Sequence, residues 1–181
     1  MIAVRPDLPP LPEILLELQK LINDPDCELE TSFLAGLMHD VGILVFDNIM
    51  PEEYYKFLTL IDLSSTDQSL EELEMGHFKI DHSEVGAMFM GKWWAISEKV
   101  NSDTLTHHKS GLAQSKTVNL DQLISTANRI ANYHGITHPV MTAFEDPPEE
   151  GYLDSLGISQ EDLGIVIDTT KIGLLAAETI F

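Results

Sequence analysis

Cysteine, basic residues and long apolar runs are all scarce in this chain of 181 residues, and each scarcity removes a class of protein. One cysteine, Cys27, excludes an internal disulfide and every zinc motif built from several thiolates. Cys27 lies beside a turn with no basic neighbour, so a reactive nucleophile is not expected there. Ten basic residues against 30 acidic ones leave a formal charge of −20. Such a surface repels phosphate backbones and anionic lipid, which argues against nucleic-acid and membrane-surface binding. No run approaches the ~18 consecutive apolar residues of a membrane span. The N-terminus lacks the basic start and apolar stretch of a signal peptide, so a cytoplasmic location is expected. Strict polar–apolar alternation is missing too, and with it any segment that demands a β-strand.

Helical periodicity fills the chain instead, and the expected fold class is all-α. Ile14, Leu15, Leu18, Leu21 and Ile22 recur at 3.6-residue spacing after Pro12, and Asn23, Asp24 and Pro25 stop that helix. A second helix opens at Thr31 or Ser32, with Phe33, Leu37, Val41 and Leu44 as one stripe and Leu34, Met38 and Val45 as the next. Pro51 reads as a first-turn proline leading Tyr54, Phe57, Leu58 and Ile61 into the core. Ser69 with Glu72, and Asp81 with Glu84, have the spacing of capping boxes. Trp93 and Trp94 read as one core ring and one half-exposed ring. Ser97 opens a helix whose Val100, Thr104, His107 and His108 share a face. From Leu120 to His134 the inward positions are Leu123, Ile124, Ala127, Ile130 and Ala131, with Gly135 as the stop. The stretch Thr137 to Gly151 is the longest loop. A last helix starts near Ser159 and runs through Leu163, Val166, Ile167, Thr170 and Leu174.

Against this apolar background, polar residues at inward positions carry the information. His39 and Asp40 are adjacent within the run Phe33 to Phe46. Buried without partners they would be costly, so either a metal ion or a hydrogen-bond network must satisfy them. His82 falls in the first turn after the cap Asp81, His107 and His108 end another helix, and Asn128 points into the apolar face of a fourth. Convergence of these groups inside a bundle would make a metal site of imidazole and carboxylate, suited to Fe, Mn or Zn rather than Ca or Mg. Without convergence, His107 and His108 simply place a cation at a helix C-terminus. His77, His134 and His138 read as surface or loop residues.

Taken in order, the segments resemble the HDOD family, a branch of the HD-domain phosphohydrolase superfamily. The matching pieces are Leu8 to Pro12, Asn23 to Pro25, Phe33 to Gly42, Pro51 with Tyr54, Glu74 to Gly76, Asp81 to Ala87, Trp94, His107–His108, Ala127–Asn128 and Leu156 to Ile158. The resemblance implies an HD-like helical bundle. Residues 1–30 would be the opening helix and turn of a truncated N-terminal subdomain, and residues 31–181 the HD-like helical domain. In catalytic relatives with a two-metal centre, the ligands fall on the positions of His39, Asp40, His82, His107, His108 and Asn128, and a metal-bound water hydrolyses phosphoesters, cyclic dinucleotides among them.

Three departures from that catalytic pattern stand out. Asn128 occupies a position where the last ligand is an aspartate, and a neutral amide is a much weaker ligand. Ile43 follows Gly42 where the cyclic-dinucleotide enzymes carry a lysine suited to phosphate. No histidine precedes His39, because residues 24–30 join the opening helix directly to the next one, as though the middle of the domain were removed. Faces that the missing helices would cover invite self-association. The expectation is therefore a non-catalytic signalling or regulatory module of bacterial signal transduction, with a degenerate metal site and a protein partner. The alternative is a metal-dependent phosphohydrolase acting on a nucleotide or cyclic dinucleotide, where Lys92, Lys99 and Lys109 are the nearest cations for phosphate.

Overall fold

The computed structural model describes residues 11–22, 28–61, 68–109, 119–134, 136 and 152–178, and among them every regular element is helical. In chain order the helices are α1 (Leu11–Ile22), α2 (Leu29–Met38), α3 (Val41–Ile49), α4 (Pro51–Leu60), α5 (Leu70–Phe78), α6 (His82–Trp93), α7 (Glu98–Thr106), α8 (Leu120–Tyr133), α9 (Tyr152–Ser155) and α10 (Gln160–Glu178). The all-α expectation holds. The expected stop at Asn23 to Pro25, Cys27, Gly135, His138 and the loop Thr137 to Gly151 lie outside the described residues.

Apolar spacing builds the largest core. Ile14, Leu15 and Leu18 of α1 are fully buried against Ile124, Ala127 and Ile130 of α8, and Leu163, Val166 and Ile167 of α10 close the same cluster. Leu21, expected inside, is 37 % exposed, one turn beyond the last contact of that stripe. A second cluster joins α3, α4 and α5 through Phe46, Tyr54, Phe57 and Leu70. Phe46 and Tyr54 stack with ring centroids 5.1 Å apart, which holds Tyr54 in place. Met38, Val41 and Met90 form a smaller third cluster between the α2–α3 corner and α6.

The stretch expected as one helix with His39 and Asp40 inside it is two helices. α2 begins at Leu29, earlier than expected, and ends at Met38; Asp40 then leaves helical geometry (φ −106°, ψ 17°) and caps α3. Its inward face also differs from the expected stripe. Phe33 and Leu44 are exposed, while Ser32, Ala35, Gly36, Val41, Gly42 and Phe46 face the protein. Small residues win because neighbouring backbones come close there: a Cβ on Gly36 would lie 2.5 Å from Leu15 Cδ1, and one on Gly42 only 1.8 Å from the carbonyl oxygen of His82. Leu29–Ile49 as a whole is long and apolar enough to cross a membrane by length and composition alone, a point that run-counting overlooks. In the bundle it is partly buried and broken by the His39–Asp40 turn.

Local capping signals fix the remaining corners. Ser69 and Glu72 form the expected reciprocal box at the start of α5. At α6 the Asp81 side chain accepts from the Glu84 N–H at 2.8 Å. Between them Lys79 takes a left-handed conformation (φ 64°) that ends α5 sharply, so α6 starts three residues later and its first turn meets α5. Trp93 and Trp94 are 66 % and 44 % exposed, so neither is the core ring expected. The inward position on that side of α6 belongs to Met90, which is fully buried.

Candidate metal centre

Four helix ends supply the site. The α2–α3 corner brings His39 and Asp40, the first turn of α6 brings His82, and the end of α7 brings His107 with His108 just beyond it. Ligand atoms of Asp40, His82, His107 and His108 all lie within 4.8 Å of one another. Donors that close together need little movement to share one ion at the ~2.0–2.2 Å distances that imidazole and carboxylate make with zinc.

Three of the histidines are pinned on the Nδ1 side. His39 Nδ1 lies 2.8 Å from the Gly36 carbonyl, His107 Nδ1 pairs with the Thr104 carbonyl, and His82 Nδ1 lies 2.6 Å from Glu74 Oε2. In each pair the ring N–H donates, which leaves Nε2 as the inward atom. His82 Nε2 is 2.9 Å from His108 Nε2 and 3.5 Å from Asp40 Oδ1. His107 Nε2 is 3.8 Å from the same Oδ1, too far for a hydrogen bond. Asp40 Oδ1 and His107 Nε2 are consequently buried with no hydrogen-bond partner. His39 sits on the far side of the carboxylate, with Nε2 at 2.9 Å from Oδ2.

Electrostatics suit a cation. Burial alone would raise the Asp40 carboxyl, but the His39 charge and the surrounding histidines outweigh it and hold it well below the usual carboxylate range. Burial would lower His82, yet Asp40 and Glu74 prevail and raise it well above the ordinary imidazole value. Burial lowers His107, and it lowers His108 further with help from the charges of His107 and His82. Two ready neutral donors, one ionised carboxylate and one protonated imidazole thus share the cluster. A hydrogen-bond network alone leaves two buried atoms unsatisfied, at a cost of about 1–3 kcal/mol each. A divalent ion satisfies both, so the residues fit a metal. The N3O donor set of three imidazoles and a carboxylate matches Zn, Fe or Mn.

Asn128 lies half-buried on α8 between the buried Ala127 and Ile130, and it makes no hydrogen bond to the four donors among the described residues. The lysines named as phosphate contacts are engaged elsewhere: Lys99 binds Asp103 at 2.8 Å, Lys109 lies 3.8 Å from Glu84, and Lys92 covers the Trp93 ring. Glu74 was given no role by its sequence context, although it holds His82 directly. A usable signal existed. Glu74 follows the buried Leu70 by four residues on α5, which places a carboxylate on an inward stripe.

A helical domain with a histidine–aspartate centre gathered from separate helix ends is the class that this geometry defines. Residues 26–110, just under half of the chain, match the HDOD domain family. The segment holds all four clustered donors, His39 and Glu74. Among curated proteins nothing matches the chain. The fold is similar to the 2.25 Å crystal structure of a candidate signal transduction protein from Marinobacter aquaeolei VT8, with a TM-score of 0.65 at 14 % identity. The match covers 93 % of this chain but 38 % of that one, so this chain spans well under half of its length.

Proposed function

We propose that the chain is a non-catalytic HDOD module of bacterial signal transduction, acting in the cytoplasm through a protein partner. Its centre is a reduced HD site in which Asp40, His82, His107 and His108 hold one Zn, Fe or Mn ion. The observation that carries the metal is the facing pair of orphaned buried atoms, Asp40 Oδ1 and His107 Nε2. The surroundings weigh against turnover of a phosphoester. Glu71 lies 3.5 Å from His108, and Glu84 and Asp103 occupy the nearby lysines. An incoming phosphate would meet carboxylates before cations.

One feature favours the alternative, a metal-dependent phosphohydrolase acting on a nucleotide or cyclic dinucleotide. The Asp40 side chain keeps 25 % of its surface exposed, so water or substrate would have a path to an ion held by the four donors. The deciding experiment purifies the protein without chelators, measures bound Zn, Fe and Mn, and assays phosphodiesterase activity with each metal added. Stoichiometric metal with no turnover supports the proposal. Turnover abolished by Asp40→Asn makes the protein a hydrolase, and absence of metal under reducing, metal-rich conditions removes the metal centre altogether.

A further inference from the structure

Glu74 is fully buried, and its carboxylate is satisfied entirely by protein groups. Oε1 accepts from the Tyr54 hydroxyl at 2.7 Å, while Oε2 accepts from the His82 backbone N–H at 2.7 Å and from its Nδ1–H at 2.6 Å. Tyr54 is itself 1 % exposed, stacked on Phe46 and Phe57, so the far oxygen of Glu74 is anchored in the second apolar cluster. Two hydrogen bonds to one residue, one from the main chain and one from the ring, fix where the imidazole lies and how it is rotated. With Nδ1 committed to Glu74, Nε2 is the atom turned toward His108 and Asp40. A ring turned over would lose the 2.6 Å bond and present carbon to the cluster.

We infer that Glu74, anchored by Tyr54, is a positioning residue for a divalent cation at the cluster: it orients His82 so that Nε2 is the donor offered beside Asp40, His107 and His108. Resting on the reading that the centre binds a metal, this assigns the third partner of a carboxylate–histidine–metal arrangement. Orientation alone does not require a charge, because an amide in the same place could accept the same two bonds. A buried carboxylate costs more than an amide unless its charge acts on something. What it acts on is the imidazole, whose lone pair at Nε2 becomes a stronger donor.

Glu74→Gln separates the two effects, since its carbonyl accepts both His82 bonds and its amide donates to the Tyr54 oxygen. The test uses the intact metal-free protein, Zn(II) alone as probe, and a chromophoric chelator as competitor. The variants are Glu74→Gln, Glu74→Ala and Asp40→Asn, each checked by circular dichroism and thermal melting. In parallel, nitrogen-edited NMR follows the His82 Nδ1–H proton of the metal-free protein. We expect one Zn(II) per wild-type chain, loss of binding in Asp40→Asn, and affinity about 10–100-fold weaker in Glu74→Gln with the fold intact. The downfield Nδ1–H resonance persists in Glu74→Gln and disappears in Glu74→Ala. Wild-type affinity in Glu74→Gln overturns the inference and leaves the metal centre standing. Failure of wild type to bind Zn(II) removes the metal centre instead. The NMR arm then decides the orientation alone: an Nδ1–H resonance missing from wild type overturns it, and one lost only in Glu74→Ala upholds it.

Discussion

Gly42 of α3 rests against the carbonyl of His82 so closely that a methyl group on its Cα would lie 1.8 Å from that oxygen. The same added carbon would lie 2.9 Å from the Gly86 nitrogen, so the obstruction is backbone that cannot swing aside. Gly86 completes the contact from the α6 side, 3.0 Å from Gly42 N by the same measure. This glycine-to-glycine crossing lets the first turn of α6 approach the α2–α3 corner, which is how His82 reaches Asp40.

Gly42→Ala should therefore damage site and fold together. Overpacking of a core costs about 1–3 kcal/mol, and the backbone contact puts this substitution at the upper end of that range. Gly76→Ala on α5 is the matched control, because an added Cβ there meets nothing within 4 Å. Replacing a helical glycine by alanine gains about 0.5–1 kcal/mol. Urea denaturation of the metal-free proteins should thus show a lower midpoint for Gly42→Ala and a slightly higher one for Gly76→Ala. Equal midpoints would mean that the α3–α6 crossing yields freely.

Metal binding should expel a proton at neutral pH. Burial opposes charge on His82, but Asp40 and Glu74 raise it well above the ordinary 6.5, so the metal-free ring carries protons on both nitrogens. His82 would offer Nε2 to a metal while its Nδ1–H stays on Glu74. About one proton per ion should be released near pH 7, because only the deprotonated nitrogen ligates. Calorimetric titration in two buffers of different protonation enthalpy measures it directly. Zero net release would show that His82 is neutral before the metal arrives.

Local signals were legible in the sequence, and signals that depend on a distant partner were not. Ile14, Leu15 and Leu18, or Ile124, Ala127 and Ile130, announce their buried faces by spacing alone, and all six are buried as expected. The Ser69–Glu72 box and the first-turn Pro51 are equally local. The helix break at Asp40 is not, because its apolar flanks read as continuous helix. The turn faces His82 and His107, 42 and 67 positions further on, across 3.5 and 3.8 Å from Asp40 Oδ1. Phe33 and Leu44 mislead for a related reason. Size suggests a core position, but close backbone crossings select Gly36 and Gly42 for the inward face. At the site itself, residue types pointed to His39, Asp40, His82, His107 and His108; the spacing of Glu74 from Leu70 marked an inward carboxylate, but its bond to His82 is visible only in the structure.

Without metal, stability should peak near pH 6.5 in the part that the cluster controls. Burial depresses His107 and, more strongly, His108, whereas in the unfolded chain both titrate near the ordinary 6.5. As pH falls through 6.5 the unfolded chain gains protons that the fold refuses, so stability is lost on the acid side. His82 has the opposite sign: burial works against its charge, but Asp40 and Glu74 raise it, so its contribution is full below 6.5 and fades as pH rises through its raised value. Asp40, which is depressed, gives stability that is present above 3.8 and lost only at still lower pH, outside this window. The comparison that isolates the cluster is wild type against His108→Gln. The variant should lose less stability between about pH 6.5 and pH 5, the range in which unperturbed imidazole charges. Parallel urea midpoints across that range would remove His108 from the acid limb.

His39 and Asp40, adjacent in sequence, should differ sharply in what they do for a metal. Asp40 turns Oδ1 toward His82 and His107, and receives His39 Nε2 at 2.9 Å on Oδ2. His39 is in turn held by the Gly36 carbonyl at 2.8 Å. This chain of contacts makes His39 the group that steadies Asp40, one bond removed from the four-donor set. Removing such a supporting partner costs about 10–100-fold in metal affinity. Removing a ligand of four takes away a coordination bond and costs more. Zn(II) competition titrations should therefore rank His39→Gln above both Asp40→Asn and His107→Gln in residual affinity. His39→Gln should also weaken binding without changing the stoichiometry of one ion per chain. A loss in His39→Gln as large as that in Asp40→Asn would move His39 into the coordination sphere, with Asp40 bridging toward it.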